Sequence, residues 1–582
     1  MRVPEVQRSR ELVRIAGLPR RRWTDEQTQA AVAALTAEYR TASGTQTLFP
    51  VQARALWEAR HIGGLLGPIS VGGGKTLLLF LLARALGAKR PLILTLAELV
   101  EKTEGREWAL YAQHWQIHPK PYVLSYQALG RVKAASRLEH YLPDVILCDE
   151  AHRLKNLKAA CTRRVVRYMQ EHPGTRFVAV SGTLISSSVA DLAHLARFAL
   201  RDGSPLPASA AEASEWAMAL DVTRDETAMG VGALREFFVP GDDVGTLQDR
   251  ARRGFADRLL STYGVVGSDA TDGVGASIRC GAVRYDVGEK TEEHFRRLRE
   301  EWTTPDGWVH TRTLDVWQRA RELALGFHNV WDPRPSPEWL RARSEYAGYV
   351  RQVLSGSRTL DSELMVRDAI LAGARLPEPL WSQLSPMDLL RRWQAQAEIY
   401  KPNVVEIWHE SNALEACAAW MKSHPHGIVW VEQPVFGCAL ARMTGAPFYW
   451  NKGLDYEGRP IEAESGKRAV IASRASNDTG RNLQQFSQNL VTCPIGNGRI
   501  WQQLIGRTHR TGQHADEVTI DVLYGCSEHV SSMERALESA TFLRDTAREP
   551  QKLLLADVSI PVVLSTSPQW QAQSKIGPTK ED

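Results

Sequence analysis

Four short, almost purely apolar runs lie between residues 91 and 181: PLILTL (91–96), YVLSY (122–126), DVILC (144–148) and FVAVS (177–181). Runs of this length without polar alternation suit strands covered on both faces, and such strands belong to parallel sheets flanked by helices. Helical patterns such as TLLLFLLARAL (76–86) lie between them, so the spacing predicts repeated strand–helix units. The same alternation returns after residue 424 with GIVWV (427–431), APFYW (446–450), RAVIAS (468–473), NLVTC (489–493) and VTIDVL (518–523). The stretch between reads differently. HFRRLREEW (294–302), LDVWQRARELAL (314–325) and MDLLRRWQAQAEIY (387–400) have helical spacing and many arginines. The sequence therefore predicts an α/β protein in five parts: a helical extension (1–45), an α/β domain (46–200), a helix-rich insertion (201–423), a second α/β domain (424–560) and a polar tail (561–582).

A chain of 582 residues exceeds what one core organises, in keeping with more than one domain. Its formal charge of +4 permits nucleic-acid binding only through a local basic surface, and Arg20-Arg21-Arg22-Trp23 is one candidate. The seven cysteines are scattered with no C-x-x-C pair, which argues against structural zinc and against a disulfide framework. No apolar run is long enough to cross a bilayer, and MRVPEVQRSRELVR at the start has no apolar centre for a signal peptide. The expectation is a cytoplasmic protein with no membrane partner.

Two motifs carry chemistry. SVGGGKT (70–76) follows the apolar GLLGPI (64–69) and precedes a helical run, the strand–turn–helix context of a phosphate-binding loop. Gly72, Gly73 and Gly74 would let backbone amides approach phosphates, Lys75 would reach the outer phosphates and Thr76 would ligate Mg²⁺. Ile69 stands where the usual pattern has its leading glycine. Asp149-Glu150-Ala151-His152 directly follows the apolar VILC. A carboxylate at a strand end suits Mg²⁺, which assigns Asp149, and Glu150 beside it is placed to polarise an attacking water.

A D-E-A-H sequence after a strand, with a G-K-T loop upstream, resembles helicase superfamily two, where another residue commonly replaces the leading glycine. LFPVQ (48–52) is similar to the superfamily's adenine-reading motif, with Gln52 as reader. Ser181-Gly182-Thr183 is similar to its coupling motif. The segment QQLIGRTHRTGQ (502–513) resembles the Q-x-x-G-R-x-H-R-x-G-Q motif of the Snf family of helicase-like ATPases. SRASNDTGRNL (473–483) matches the preceding family motif at Gly480, Asn482 and Leu483, with Asn477-Asp478 in place of a glycine pair.

The resemblance implies two RecA-like parallel-sheet domains with ATP and Mg²⁺ as cofactors. Lys75, Asp149, Glu150, Gln503, Arg507 and Arg510 would form the catalytic set, with Arg510 as arginine finger. Gln52, Gly72 to Thr76, Gly480, Arg507 and Arg510 would hold the nucleotide. Ser125, Tyr126, Ser181, Gly182 and Thr183 would couple hydrolysis to a nucleic-acid strand. The implied function is an ATP-dependent DNA translocase on double-stranded or branched DNA, working in replication, recombination or repair and contacting mainly the DNA backbone. The implied source is a compact bacterial or phage-encoded member, placing it in the bacterial cytoplasm or nucleoid or the host cytoplasm. The alternatives are an RNA helicase, or a nucleotide-gated module that recruits a replication or recombination protein.

Overall fold

The computed structural model describes residues 3–70, 72–131, 136–182, 184, 188–222, 228–268, 275–357, 359–401, 403–477 and 480–559. Val71, Thr183, Asp478 and the polar tail 561–582 lie outside the described residues. Two compact units share the chain. The first comprises Met1–Gly273, Val330–Val405 and Thr541–Gln551, and the second comprises Val274–Asn329, Glu406–Ala540 and Lys552–Asp582. The stretch 201–423, read from sequence as one helix-rich insertion, is thus divided between the two.

The first unit is built on five parallel strands: β1 (Leu65–Pro68), β2 (Pro91–Thr95), β3 (Tyr122–Ser125), β4 (Val145–Asp149) and β5 (Arg176–Ser181), in the order β1-β5-β4-β2-β3. Every residue of β1 and β2 is buried, as the unbroken apolar runs require. The register places Pro68 opposite Ser181, Asp149 opposite Val180 and Thr95 opposite Ser125. The loops that follow all five strands therefore emerge along one edge, where parallel α/β sheets carry their ligands. The helix Lys75–Ala85 starts at that edge and buries seven consecutive residues, Leu77 to Ala83.

Residues of 201–273 complete this unit's core. Trp216 on the helix Ala210–Leu220 and Phe255 on the helix Leu247–Leu260 are both fully buried in the cluster that holds Leu66 and Ala179 of the sheet. The basic run 20–22 is spent inside the same unit. Arg20 and Arg22 pair with Asp257, while Arg21 and the Trp23 indole N–H meet Glu58.

Three further helices, Pro337–Gly356, Glu363–Leu371 and Pro386–Ile399, form a small bundle around Tyr349, Val353, Val366, Ile370, Leu389 and Leu390. A buried ion pair fixes this bundle to the rest of the unit. Arg164 makes two hydrogen bonds of 2.7 Å to the two oxygens of Asp361, and its remaining nitrogen reaches the carbonyls of Leu129 and Arg131 at 2.5 Å. The two side chains are 1% and 2% exposed. Asp361→Ala would leave a buried guanidinium without its counter-charge, which costs about 3–5 kcal/mol. Urea unfolding should show that loss, and Arg164→Met combined with Asp361→Leu should recover most of it.

The remaining strands are β6 (Ser277–Arg284), β7 (Phe327–Asp332), β8 (Asn403–Trp408), β9 (Ile428–Val431), β10 (Phe448–Tyr449), β11 (Val470–Ser473), β12 (Gln488–Val491), β13 (Glu517–Tyr524) and β14 (Asp557–Val558). β7 and β8 make a two-stranded sheet. The second unit carries a seven-stranded parallel sheet in the order β10-β11-β9-β12-β13-β6-β14. β6 comes from the zone expected to be helical, yet it pairs with β13 over all eight residues. Its sequence, SIRCGAVR, hides the strand because Arg279 stands exposed between the buried Ile278 and Cys280, and Arg284 is exposed at its end. Among the described residues, no helix is long and apolar enough to cross a membrane.

Candidate active site

The turn between β1 and the helix Lys75–Ala85 needs its glycines for distinct reasons. Gly72 (φ 95°) and Gly74 (φ 68°) lie in the left-handed region that a side chain disfavours. At Gly73 the obstacle is steric: a Cβ there would stand 2.6 Å from Cγ2 of Ile69. Ile69 itself is fully buried in the core beneath the loop. The isoleucine in place of the leading glycine is therefore a floor against which the loop is moulded. For a loop that binds nucleotide as the sequence leads one to expect, Gly73→Ala should abolish binding, and adding Ile69→Ala should restore part of it while destabilising the fold by about 2–5 kcal/mol. Titration with a fluorescent ATP analogue and thermal unfolding would measure the two effects.

Lys75 folds back over the loop, its ammonium donating to the carbonyls of Ile69 and Ser70 at 3.2 Å each. Thr76 follows in the first turn of the same helix, half-buried. Gln52 braces the loop from behind. Its amide NH₂ donates to Gly74 O (2.9 Å), and its amide oxygen accepts from Phe49 N (2.8 Å). At 2% exposure, the side chain expected to read adenine is committed to the loop itself.

The carboxylates lie on the neighbouring strand end. Asp149 accepts from the Thr95 hydroxyl (3.2 Å) and from the amide of Glu150 (3.1 Å). Burial, and next the charge of Glu150, push its carboxyl above the usual carboxylate range, with the Lys75 charge opposing. Glu150 sits at φ 49°, ψ 49°, a left-handed conformation that costs a residue with a side chain roughly 1–3 kcal/mol. That backbone twist turns its carboxylate toward β5. The Ser181 hydroxyl donates to Glu150 Oε2 (3.0 Å), and Nδ1 of His152 lies 3.0 Å from Ser181 Oγ and 3.3 Å from Glu150 Oε2. Burial acts to raise the Glu150 carboxyl, but the His152 hydrogen bond, the Lys75 charge and the Ser181 hydroxyl together hold it below the usual carboxylate range. His152, only 3% exposed, belongs to the site although the sequence reading gave it no role. Its place in D-E-A-H was the available signal.

Ser125 and Tyr126, expected to face a nucleic-acid strand, are 6% and 4% exposed. Ser125 caps the helix Tyr126–Leu129 by accepting from Ala128 N (3.0 Å), and the Tyr126 hydroxyl donates to the Asp149 carbonyl at 2.5 Å. Tyr126 thus supports the carboxylate strand from inside the unit, while Ser125 fixes its own helix. Gly182 is half-buried at the end of β5.

In the second unit the helix Gly498–Thr508 carries Gln503 and Arg507, which are 7% and 5% exposed. Arg507 donates to Gln503 O (3.0 Å) and to Arg481 O (3.2 Å). Arg510 donates to the same Arg481 carbonyl (3.3 Å) and to the side-chain oxygen of Asn482. Gly480 (φ 69°) makes the turn that presents this segment. His509 is structural here: its ring nitrogens meet Ala276 O (2.8 Å) and Lys552 Nζ (3.2 Å). The two arginines of GRTHR thus converge on the segment that the sequence singled out at Gly480 to Leu483.

The donor set fits a magnesium nucleotide. Among the described residues no three His, Cys, Asp or Glu side chains form a metal cage. A divalent cation at Thr76 and Asp149 would thus rely on phosphate oxygens and water, the coordination Mg²⁺ favours. No protein-family model matches the chain, and no curated protein matches it.

Proposed function

We propose that this chain is an ATP-dependent DNA translocase of the Snf type within helicase superfamily two, its two units being RecA-like ATPase domains. The observation that carries the reading is the convergence at one sheet edge of the glycine loop with Lys75, the Asp149-Glu150 pair, and Ser181 joined to Glu150. An ATPase needs a phosphate cradle, an oriented carboxylate base and a device that reports hydrolysis, and these residues suit all three tasks.

In this reading the loop amides and Lys75 hold the β- and γ-phosphates. Thr76 and Asp149 would hold Mg²⁺, which when bound neutralises charge on the phosphate oxygens. Glu150, aimed by Ser181 and His152, orients the attacking water and takes its proton. A change at the γ-phosphate then passes from Glu150 through Ser181 to Gly182, the loop proposed to couple hydrolysis to movement. Arg507 and Arg510 are the guanidinium groups proposed to meet phosphate charge as hydrolysis proceeds. DNA is held mainly through its phosphates, so binding weakens as salt rises.

ATP hydrolysis should rise at least about tenfold on adding duplex or branched DNA, and the stimulation should shrink with salt as phosphate contacts are screened. Stimulation by RNA and not by DNA would replace this reading with an RNA helicase. Turnover indifferent to either nucleic acid would favour a nucleotide-gated module that recruits a protein partner.

A further inference from the structure

Residues 264–268 run alongside β1 beyond the edge of the five-stranded sheet. Leu66 N donates to Gly264 O (2.9 Å), Val266 N to Leu66 O (3.0 Å) and Ser268 N to Pro68 O (3.1 Å). Main-chain pairing alone would account for this segment's position. Its last residue does more: the Ser268 hydroxyl oxygen accepts the amide hydrogen of Ser70 at 2.8 Å. Ser70 opens the glycine loop, and the amide just before it, Ile69 N, is shared between Gly67 O at 2.9 Å and Ser181 O at 3.0 Å. Both amides at the loop's entrance are therefore fixed from outside the loop, one by the ends of β1 and β5 and one by a residue 198 positions away.

Ser268 also lies near the loop's middle. Its Oγ lies 3.8 Å from where a Cβ on Gly73 would stand. Ser70, Ser268 and Gly182 line one cavity of about 250 Å³, together with Pro68, Gly267 and Arg548. A hydroxyl that accepts the Ser70 N–H keeps its own proton for a second bond, so it can hold the loop and still answer to what enters it. Loops that bind phosphate gain affinity when their amides are held in the bound shape beforehand.

Building on the nucleotide-site reading, we propose that Ser268 is a positioning residue that sets the entrance of the phosphate loop for ATP. The main-chain pairing of 264–268 survives any side-chain change, so variants at this position keep the segment in place. Ser268→Ala should raise the KM for ATP roughly 3- to 10-fold, the value of one lost hydrogen bond, with kcat within about twofold of wild type at saturating ATP and DNA. Ser268→Thr, which retains the hydroxyl, should restore the KM, and Ser268→Cys, a weak acceptor, should fall between. Direct titration with a fluorescent ATP analogue should follow the same order. An unchanged KM across the series, or a lowered melting temperature with KM and kcat unmoved, would overturn the assignment. If the wild-type chain and Lys75→Ala bind the analogue equally, the nucleotide-site reading itself fails. If Lys75→Ala alone loses binding while Ser268→Ala does not, that reading stands and only the role of Ser268 falls.

Discussion

Glu150→Gln is expected to slow ATP turnover by about 10²–10⁴-fold while nucleotide binding persists. The substitution removes a proton acceptor and little else. The amide oxygen of glutamine can still accept from the Ser181 hydroxyl, and the left-handed backbone at this position is unchanged. Lys75→Ala should fail one step earlier, because its ammonium is the cation beside the loop carbonyls of Ile69 and Ser70 and its charge acts on both carboxylates. The pair is read as a split. A fluorescent ATP analogue should bind Glu150→Gln and not Lys75→Ala, and both variants should turn over far more slowly than wild type. Full turnover by Glu150→Gln would remove Glu150 from the chemistry and with it the proposed mechanism.

Arg510→Ala should lower DNA-saturated ATP turnover by about 10³–10⁵-fold, the range for an arginine that stabilises a transferring phosphoryl group. The geometry distinguishes it from Arg507. Arg507 is buried and ties its own helix to Arg481, so Arg507→Ala should lower both activity and thermal stability. Arg510 is half-buried, and burial draws its guanidinium below the usual arginine range. It therefore combines a fixed position with a charge that gains from meeting an anion. Arg510→Ala should leave the melting temperature near wild type. Arg510→Lys should not restore activity, because an ammonium cannot reproduce the planar fork. Turnover within threefold of wild type in Arg510→Ala would exclude it as the arginine finger.

Much of this was legible in the sequence because burial on both faces leaves a simple trace. All nine apolar runs singled out as strands, from PLILTL to VTIDVL, are strands in the two sheets. β6 escaped because alternation with arginines looks the same as an exposed helical face. The partners of the motif residues were not legible. Nothing in D-E-A-H or in S-G-T shows that His152 and Ser181 meet over Glu150, since that contact follows from the register of β4 against β5. For the same reason the burial of Gln52 and Tyr126 could not be read locally: each bonds to a neighbour more than twenty positions away. Ser268 lies in no recognisable motif.

The way the chain is shared between the two units has a consequence for synthesis. The first unit's five strands are all present by Ser181, but its final segment, Thr541–Gln551, comes 360 residues later. At about 5–20 residues per second, a ribosome needs roughly 18–72 s to cover that interval. For that time the first unit waits without its last segment, while the second unit cannot complete its sheet until β6, made early, meets β13, made late. Neither unit can finish folding on the nascent chain before nearly the whole protein has been made.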